Sequence, residues 1–237
     1  MRTNYRRWSK YPYHGEQKPP IAYQTPADYP MFFIFRQNKN EFIDSFGQRI
    51  NWQIKNPIEV NWGTELTFVE QTLLSITPQQ KRIAQFWGSV EATQNMTPLI
   101  FSLAKKYRLG SPQLARALGY FHAAVSDAFV LSWYFKYLWD VARPNQYDRN
   151  ITPVLTTPRF PSYPSAHAAV AGCAKSILSY FFPSEAVGIK NTMEECALSR
   201  LYAGVHFQVD NDEGLRLGRQ IGGIVVRLMK SQKINGL

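Results

Sequence analysis

The sequence predicts an all-α protein, a helical bundle preceded by an irregular N-terminal arm. Three observations predict it. From about residue 65 the chain repeats a helix-start signal, a Ser or Thr followed at once by Pro. After Ser111 it stays helix-compatible up to Ala142 and is apolar on most faces, which predicts one long helix at the centre of a bundle. Residues 1–64, in contrast, are rich in Pro, Tyr, Trp and Asn and show no helical period. The expected organisation is an arm over 1–64, packed on a helical domain over 65–237.

Taken in order, residues 31–36 (MFFIFR) predict a strand, with Asn38-Lys39-Asn40 turning into a second short one. Thr77-Pro78 with Gln80 reads as an N-cap, a Pro at the first helical position and a capping-box partner. Thr97-Pro98 and Ser111-Pro112 predict two further helix starts. A proline-rich loop is expected over 144–164, then helices near 166–181, 185–205 and 212–231. Asp210 and Glu213 have capping-box spacing at the start of the last helix.

Composition narrows the function classes. Of 237 residues, 45% are apolar and 14% aromatic, too many for a disordered chain. The two cysteines, Cys173 and Cys196, form no metal or redox motif and read as small buried hydrophobes, as a reducing compartment allows. Residues 1–20 begin basic but lack the apolar core of an export signal, and no run of about 18 apolar residues occurs. The expectation is therefore a cytoplasmic protein without membrane insertion, an unrecognised export route being left open. The net charge of +10 asks for an anionic partner, yet the basic residues are scattered and no nucleic-acid signature accompanies them. A positive field that draws in small anions accounts for it, and no nucleic-acid partner is expected.

Three segments carry chemistry. On the long helix, Trp133, Lys136, Asp140 and Arg143 fall within about 80° of arc, so two cations share a face. The simpler alternative pairs Lys136 with Asp140 and sets Arg143 against the helix C-terminus. Next, Pro164-Ser165-Ala166-His167 opens an apolar helix. Ser165 is a natural N-cap, and the unpaired amides behind it make an anion site with a His on the first turn; the alternative is a capping Ser beside an exposed His. Third, Arg200 and His206 are six residues apart and face one site only if the helix ends or bends between them, for which Gly204 is the candidate. Asp210, four residues on, can hold one ring nitrogen of His206 and turn the other outward; alternatively it only caps a helix. Together these groups suit a tetrahedral or trigonal-bipyramidal oxyanion with acid–base and nucleophilic groups around it. The motifs of zinc proteases, nucleophile-elbow hydrolases and attached haem are absent.

Lys136 with Arg143-Pro144, Pro164-Ser165-x-His167, and Ser199-Arg200 with His206 and Asp210 resemble the three-part signature of the superfamily of type 2 phosphatidic acid phosphatases (PAP2) and vanadium haloperoxidases. The spacing matches at all ten positions, over about residues 111–230. Asp127, Ser132 and Trp133 ahead of Lys136, Phe160 ahead of Ser165, and Gly204-Val-His206-Phe with Asn211, Gly214 and Gly218 are more similar to the haloperoxidase branch. The resemblance implies a PAP2/haloperoxidase-type bundle. It implies that Lys136, Arg143 and Arg200 hold equatorial oxygens of vanadate or phosphate, helped by Ser165 and the amide of Ala166. His206 would be the apical vanadium ligand, or the nucleophile of a phosphatase; His167 would be the acid–base, Asp210 would orient His206, and Trp133 and Phe160 would line a halide pocket, the alternative being that both are core aromatics.

The implied cofactor is vanadate, and the implied partners are hydrogen peroxide and halide. A phosphomonoesterase acting on a phosphoester is the alternative, and a non-catalytic anion-binding bundle the second. The family usually has Gly where Ala166 stands; a positive φ there would cost Ala about 1 kcal/mol. Larger members use two related bundles, so a homodimer is a reasonable expectation for this chain.

Overall fold

A computed structural model describes residues 4–22 and 26–234; the parts of the expected arm and helical domain at 1–3, 23–25 and 235–237 lie outside the described residues. A two-stranded hairpin, β1 (Ile34–Asn38) and β2 (Glu41–Asp44), precedes eight helices. These are α1 (Trp62–Leu74), α2 (Pro78–Gly88), α3 (Ala92–Lys106), α4 (Ser111–Trp139), the single turn α5 (Pro144–Tyr147), α6 (Ala166–Phe181), α7 (Ala186–Tyr202) and α8 (Gln208–Ser231). The all-α bundle is as expected. No helix of the described residues is long and apolar enough to cross a membrane.

The bundle closes around α6, which packs on α4, α7 and above all α8. The sequence pointed to the long helix as the central one; instead the N-terminal half of α4 keeps an exposed face, and the short, Ala-rich α6 is enclosed almost throughout. Small side chains explain it. Gly214, Gly218 and Gly222 form a stripe along α8, and a Cβ at Gly218 would stand 1.9 Å from the Ala169 carbonyl oxygen. At Gly214 it would stand 2.5 Å from that of Ser165. The stripe brings α8 against the first turn of α6, and the Ser165 amide donates to the Asp210 carbonyl at 2.9 Å.

Several boundaries moved, each for a local reason. Thr77 caps α2 with the full capping box, as its sequence implies. Thr97-Pro98 does not start a helix: α3 begins at Ala92 and carries Pro98 inside. The carbonyl that Pro98 leaves without an amide belongs to Gln94, an exposed residue. Gly110, not Ser111, caps α4. That helix stops at Trp139 rather than Ala142, because Asp140 turns left-handed (φ 55°) and is taken up by the arm. Trp8 donates its amide to the Asp140 carbonyl at 2.7 Å, Ser9 binds the carboxylate, and Arg7 pairs with Val141. Strand β1 starts at Ile34 rather than 31 because the amides of Phe32 and Phe33 are held by the buried Asp127 carboxylate, each at 2.8 Å. Helix α8 begins at Gln208 rather than 212: Asp210 is its third residue and accepts from the Phe207 amide, so Asp210 does not open a capping box with Glu213. Cys173 and Cys196 are buried free thiols, as expected.

Candidate active site

Three chain segments meet at the N-terminus of α6. From the end of α4, Lys136 is fully buried and donates to the carbonyl oxygens of Pro161 (2.9 Å) and Ser162 (2.7 Å). It therefore makes no pair with Asp140, whose carboxylate is engaged by Ser9, and the simpler alternative for this helix fails. Arg143 follows the helix and caps α5. Its amide donates to the Gln146 side chain, and Gln146 in turn donates to the carbonyls of Trp8 and Tyr11. The arm thus fixes the segment that carries Arg143. The guanidinium donates to the carbonyls of Phe160 (3.0 Å) and Val205 (2.8 Å).

The α6 segment supplies Ser165, Ala166 and His167. Ser165 caps the helix, its hydroxyl oxygen accepting from the Ala168 amide at 3.4 Å, which leaves the O–H proton to donate elsewhere. Ala166 is the first helical residue and is absent from the positive-φ positions. The strain considered for Ala at this point does not arise: the backbone is helical, and only the methyl group is added to the wall. His167 is half-buried and lines a cavity rather than standing free on the surface.

The third segment turns where Gly204 takes φ +70°. Helix α7 ends there, and the tight turn brings Arg200 and His206 to one place. A Cβ on Gly204 would also press on Leu73 at 2.9 Å. His206 Nδ1 lies 2.7 Å from Asp210 Oδ2, and the same oxygen accepts from the Phe207 amide and the Ser162 hydroxyl. The carboxylate accepts only, so the ring carries its proton on Nδ1 and presents a lone pair at Nε2. Arg143 Nη1 donates to that lone pair at 2.9 Å.

Trp133 and Phe160 lie in contact, ring centroids 4.8 Å apart, and both line the cavity with Ala166, His167, Arg200 and His206. The Phe160 ring lies under two cations, 5.3 Å from Lys136 Nζ and 5.0 Å from Arg143 Cζ. The cavity measures about 400 Å³; Lys136 and Arg143 lie against Phe160 of its wall, and Ser165 immediately precedes Ala166 of its lining. The loop joining α2 to α3, Gly88 to Glu91, forms the rim.

The charges explain what the cavity accepts. Burial, then Arg143, pushes the Lys136 ammonium well below its ordinary value. Burial pushes both guanidinium groups, Arg143 and Arg200, down to about 10, and Glu91 opposes the fall at Arg200. Burial and the cations push both imidazoles well below theirs; for His167 the Trp87 carbonyl opposes this. His167 Nε2 is buried and has no partner among the described residues. Burial pushes the Asp210 carboxyl up, against Ser162 and Lys136. Three cations so desolvated are costly unless an anion faces them. Buried polar atoms without partners include Arg143 Nη2, Arg200 Nε and Nη1 and His167 Nε2. A tetra-oxo anion satisfies such an array, whereas a bare divalent cation is repelled by it, so these residues fit vanadate or phosphate.

Residues 116–234, half of the chain, match the family model of the PAP2 superfamily. The chain belongs to the PAP2 superfamily. Among solved structures, this PAP2 protein is similar to a bacterial vanadium-dependent iodoperoxidase (22% identity, 88% of this chain and 62% of that one, TM-score 0.65). It is also similar to the apo form of a bacterial vanadium-dependent chloroperoxidase (14%, 77% and 52%, 0.66). A transmembrane PAP2-type phosphatidylglycerolphosphate phosphatase from Bacillus subtilis shares the fold as well (19%, 73% and 89%, 0.56). At these identities the likeness concerns the fold, and the chain spans less than two thirds of the length of either haloperoxidase. No curated protein matches the sequence.

Of the signature residues, His167, Arg200 and His206 line this cavity; Lys136 and Arg143 lie against Phe160 of its wall, and Asp210 reaches it through His206. Sequence reasoning missed Ser162, which holds the Asp210 carboxylate, and Glu91 with the rest of the rim. Neither has a spacing or motif that marks it; both act through contacts with distant segments.

Proposed function

We propose that the protein is a vanadate-dependent haloperoxidase, oxidising halide with hydrogen peroxide. The observation that carries this reading is the Trp133–Phe160 pair, which gives the cavity an aromatic wall beside the lone pair of His206. A halide at the ring edges is drawn by the positive charge of Lys136 and Arg143, which lie over Phe160. Vanadate, when bound, supplies a Lewis acid that activates peroxide toward halide. Lys136, Arg143 and Arg200 would hold its oxygens by charge, and Ser165 and the Ala166 amide would hold them by hydrogen bonds at the positive end of α6. His206, its ring held by Asp210 at Nδ1, would offer Nε2 as the ligand once Arg143 Nη1, now 2.9 Å from that nitrogen, turned to an oxygen of the anion. His167 takes and returns a proton at Nε2, the buried ring nitrogen that has no partner among the described residues.

A second reading, phosphomonoester hydrolysis, is favoured by the same lone pair. His206 Nε2 forms a bond to phosphorus as the ester P–O bond breaks, and protonated His167 gives its proton to the leaving oxygen. Water then releases phosphate from His206.

One paired assay tests both. On metal-free protein with and without vanadate, the haloperoxidase reading expects iodide or bromide oxidation only with vanadate. Cleavage of p-nitrophenyl phosphate that vanadate inhibits, without halide oxidation, supports the second reading. Neither activity contradicts both and leaves a non-catalytic anion-binding bundle.

A further inference from the structure

A second cavity of about 410 Å³ adjoins the first. Glu91, Phe129 and Trp133 belong to the walls of both, so the two form one trough that runs from the oxyanion site to the surface. Its floor is a face of α4, with Val125 and Val130 almost fully buried beneath it. Its sides are the start of α3, with Thr93, and the turn that carries Pro26 and Tyr29. The lining is mostly apolar, but the junction holds a carboxylate. Glu91 is exposed and precedes α3 without capping it through its side chain. No hydrogen bond or ion pair engages that side chain among the described residues.

Such a trough selects by shape and charge. The rings of Phe129, Trp133 and Tyr29 offer π-faces to a planar apolar body. The Glu91 carboxylate favours a cationic group at the junction, which the aromatic rings also welcome. We propose that the trough binds an arylalkylamine, its ring between α4 and the 26–29 turn and its ammonium group beside Glu91, as the organic co-substrate of the adjoining site. Binding stands on the trough alone; the reaction rests on the haloperoxidase reading. In it a ring C–H becomes C–X, with halide, hydrogen peroxide and a proton consumed and two waters formed: ArH + X⁻ + H₂O₂ + H⁺ → ArX + 2 H₂O. Halide is oxidised to electrophilic halogen, peroxide is reduced to water, and the ring proton leaves as the carbon–halogen bond forms.

Tyramine and 4-ethylphenol share a skeleton and differ in the ammonium group. Equilibrium dialysis of both against the full chain, with and without excess vanadate, reads the trough without any turnover. Tyramine should bind about three- to fivefold more tightly than 4-ethylphenol, and Glu91→Gln should remove that advantage. Thr93→Trp fills the trough from one side and Ser126→Trp from its α4 floor, and each should weaken both ligands by about tenfold or more while iodide oxidation without an organic acceptor is unchanged. Equal affinity for the two ligands, an advantage that survives Glu91→Gln, or undiminished binding in both Trp variants overturns the proposal. Loss of iodide oxidation in the wild type, with the tyramine preference intact, would count against the haloperoxidase reading alone.

Discussion

Asp210 stands one helical turn beyond His206 and accepts a hydrogen bond from its Nδ1 at 2.7 Å, so the orientation of the ring is set by a residue on the helix that follows it. The same carboxylate oxygen gathers Ser162 and the Phe207 amide. Asp210→Asn keeps the shape and removes the charge. An amide can accept at only one of its two ends, so the ring loses its fixed tautomer. The expected outcome is a fall in kcat of about a hundredfold or more with little change in circular dichroism. Activity within threefold of wild type contradicts the orienting role.

The close approach of α6 and α8 yields a stability prediction with an internal control. Ala is ordinarily better than Gly inside a helix by about 1 kcal/mol. At Gly223 a Cβ meets nothing within 4 Å, so Gly223→Ala should stabilise by about that amount. At Gly218 the Cβ would stand 1.9 Å from the Ala169 carbonyl oxygen and 2.7 Å from the Cys173 amide nitrogen, both backbone atoms. Gly218→Ala should therefore destabilise by about 1–3 kcal/mol and weaken anion binding as α6 shifts. Denaturant midpoints of the two variants, moving in opposite directions, check this.

Asp127 gives a pH dependence. Burial pushes its carboxyl up to about 6, against the hydrogen bonds from Phe32 and Phe33. In the unfolded chain an Asp titrates near 3.9. Between those values the folded protein holds a proton that the unfolded chain has released, so the stability from this group falls as pH rises. The fall begins near pH 4, ends a little above pH 6 and amounts to about 3 kcal/mol. Asp127→Asn removes it. Unfolding free energies of both proteins at pH 4.5 and 7.5 should differ in that sense, and a wild-type minus variant difference that is the same at both pH values contradicts it.

His167 gives a second one. Burial first, then Arg200, holds its ring well below the ordinary value, so it is neutral near pH 7 without an anion. An arriving phosphate brings negative charge and favours the protonated ring. Titration calorimetry of inorganic phosphate in two buffers of different ionisation enthalpy counts the protons. Wild type should take up more protons per phosphate than His167→Gln; equal counts contradict the assignment.

What the sequence made legible is what depends on near neighbours. Thr77 and Ser165 cap helices because a cap needs only the amides two or three residues ahead. Gly204 could be singled out because a turn between Arg200 and His206 needs a residue tolerant of positive φ. The chemistry-bearing groups of the site were legible as types at fixed spacings. What escaped depends on segments far apart in the chain. Spacing alone offers Asp140 to Lys136, four residues away, as the simpler alternative, but Ser9 takes it from the other end of the protein. Phe32 and Phe33 look like strand residues, yet Asp127 claims their amides. Helix α4 looked central by its apolarity, but the steric freedom of Gly214, Gly218 and Gly222 gave that place to α6. Ser162 and Glu91 carry no local signal at all.

The account stands on Lys136, Arg143, Arg200 and His206 serving a single oxyanion. Equilibrium dialysis of vanadate against the metal-free protein at neutral pH measures this directly. The expected result is saturation at one vanadate per chain, weakened about tenfold or more in both His206→Ala and Arg200→Ala. A wild-type protein that takes up no vanadate, or a His206→Ala variant that binds as tightly as wild type, would contradict it.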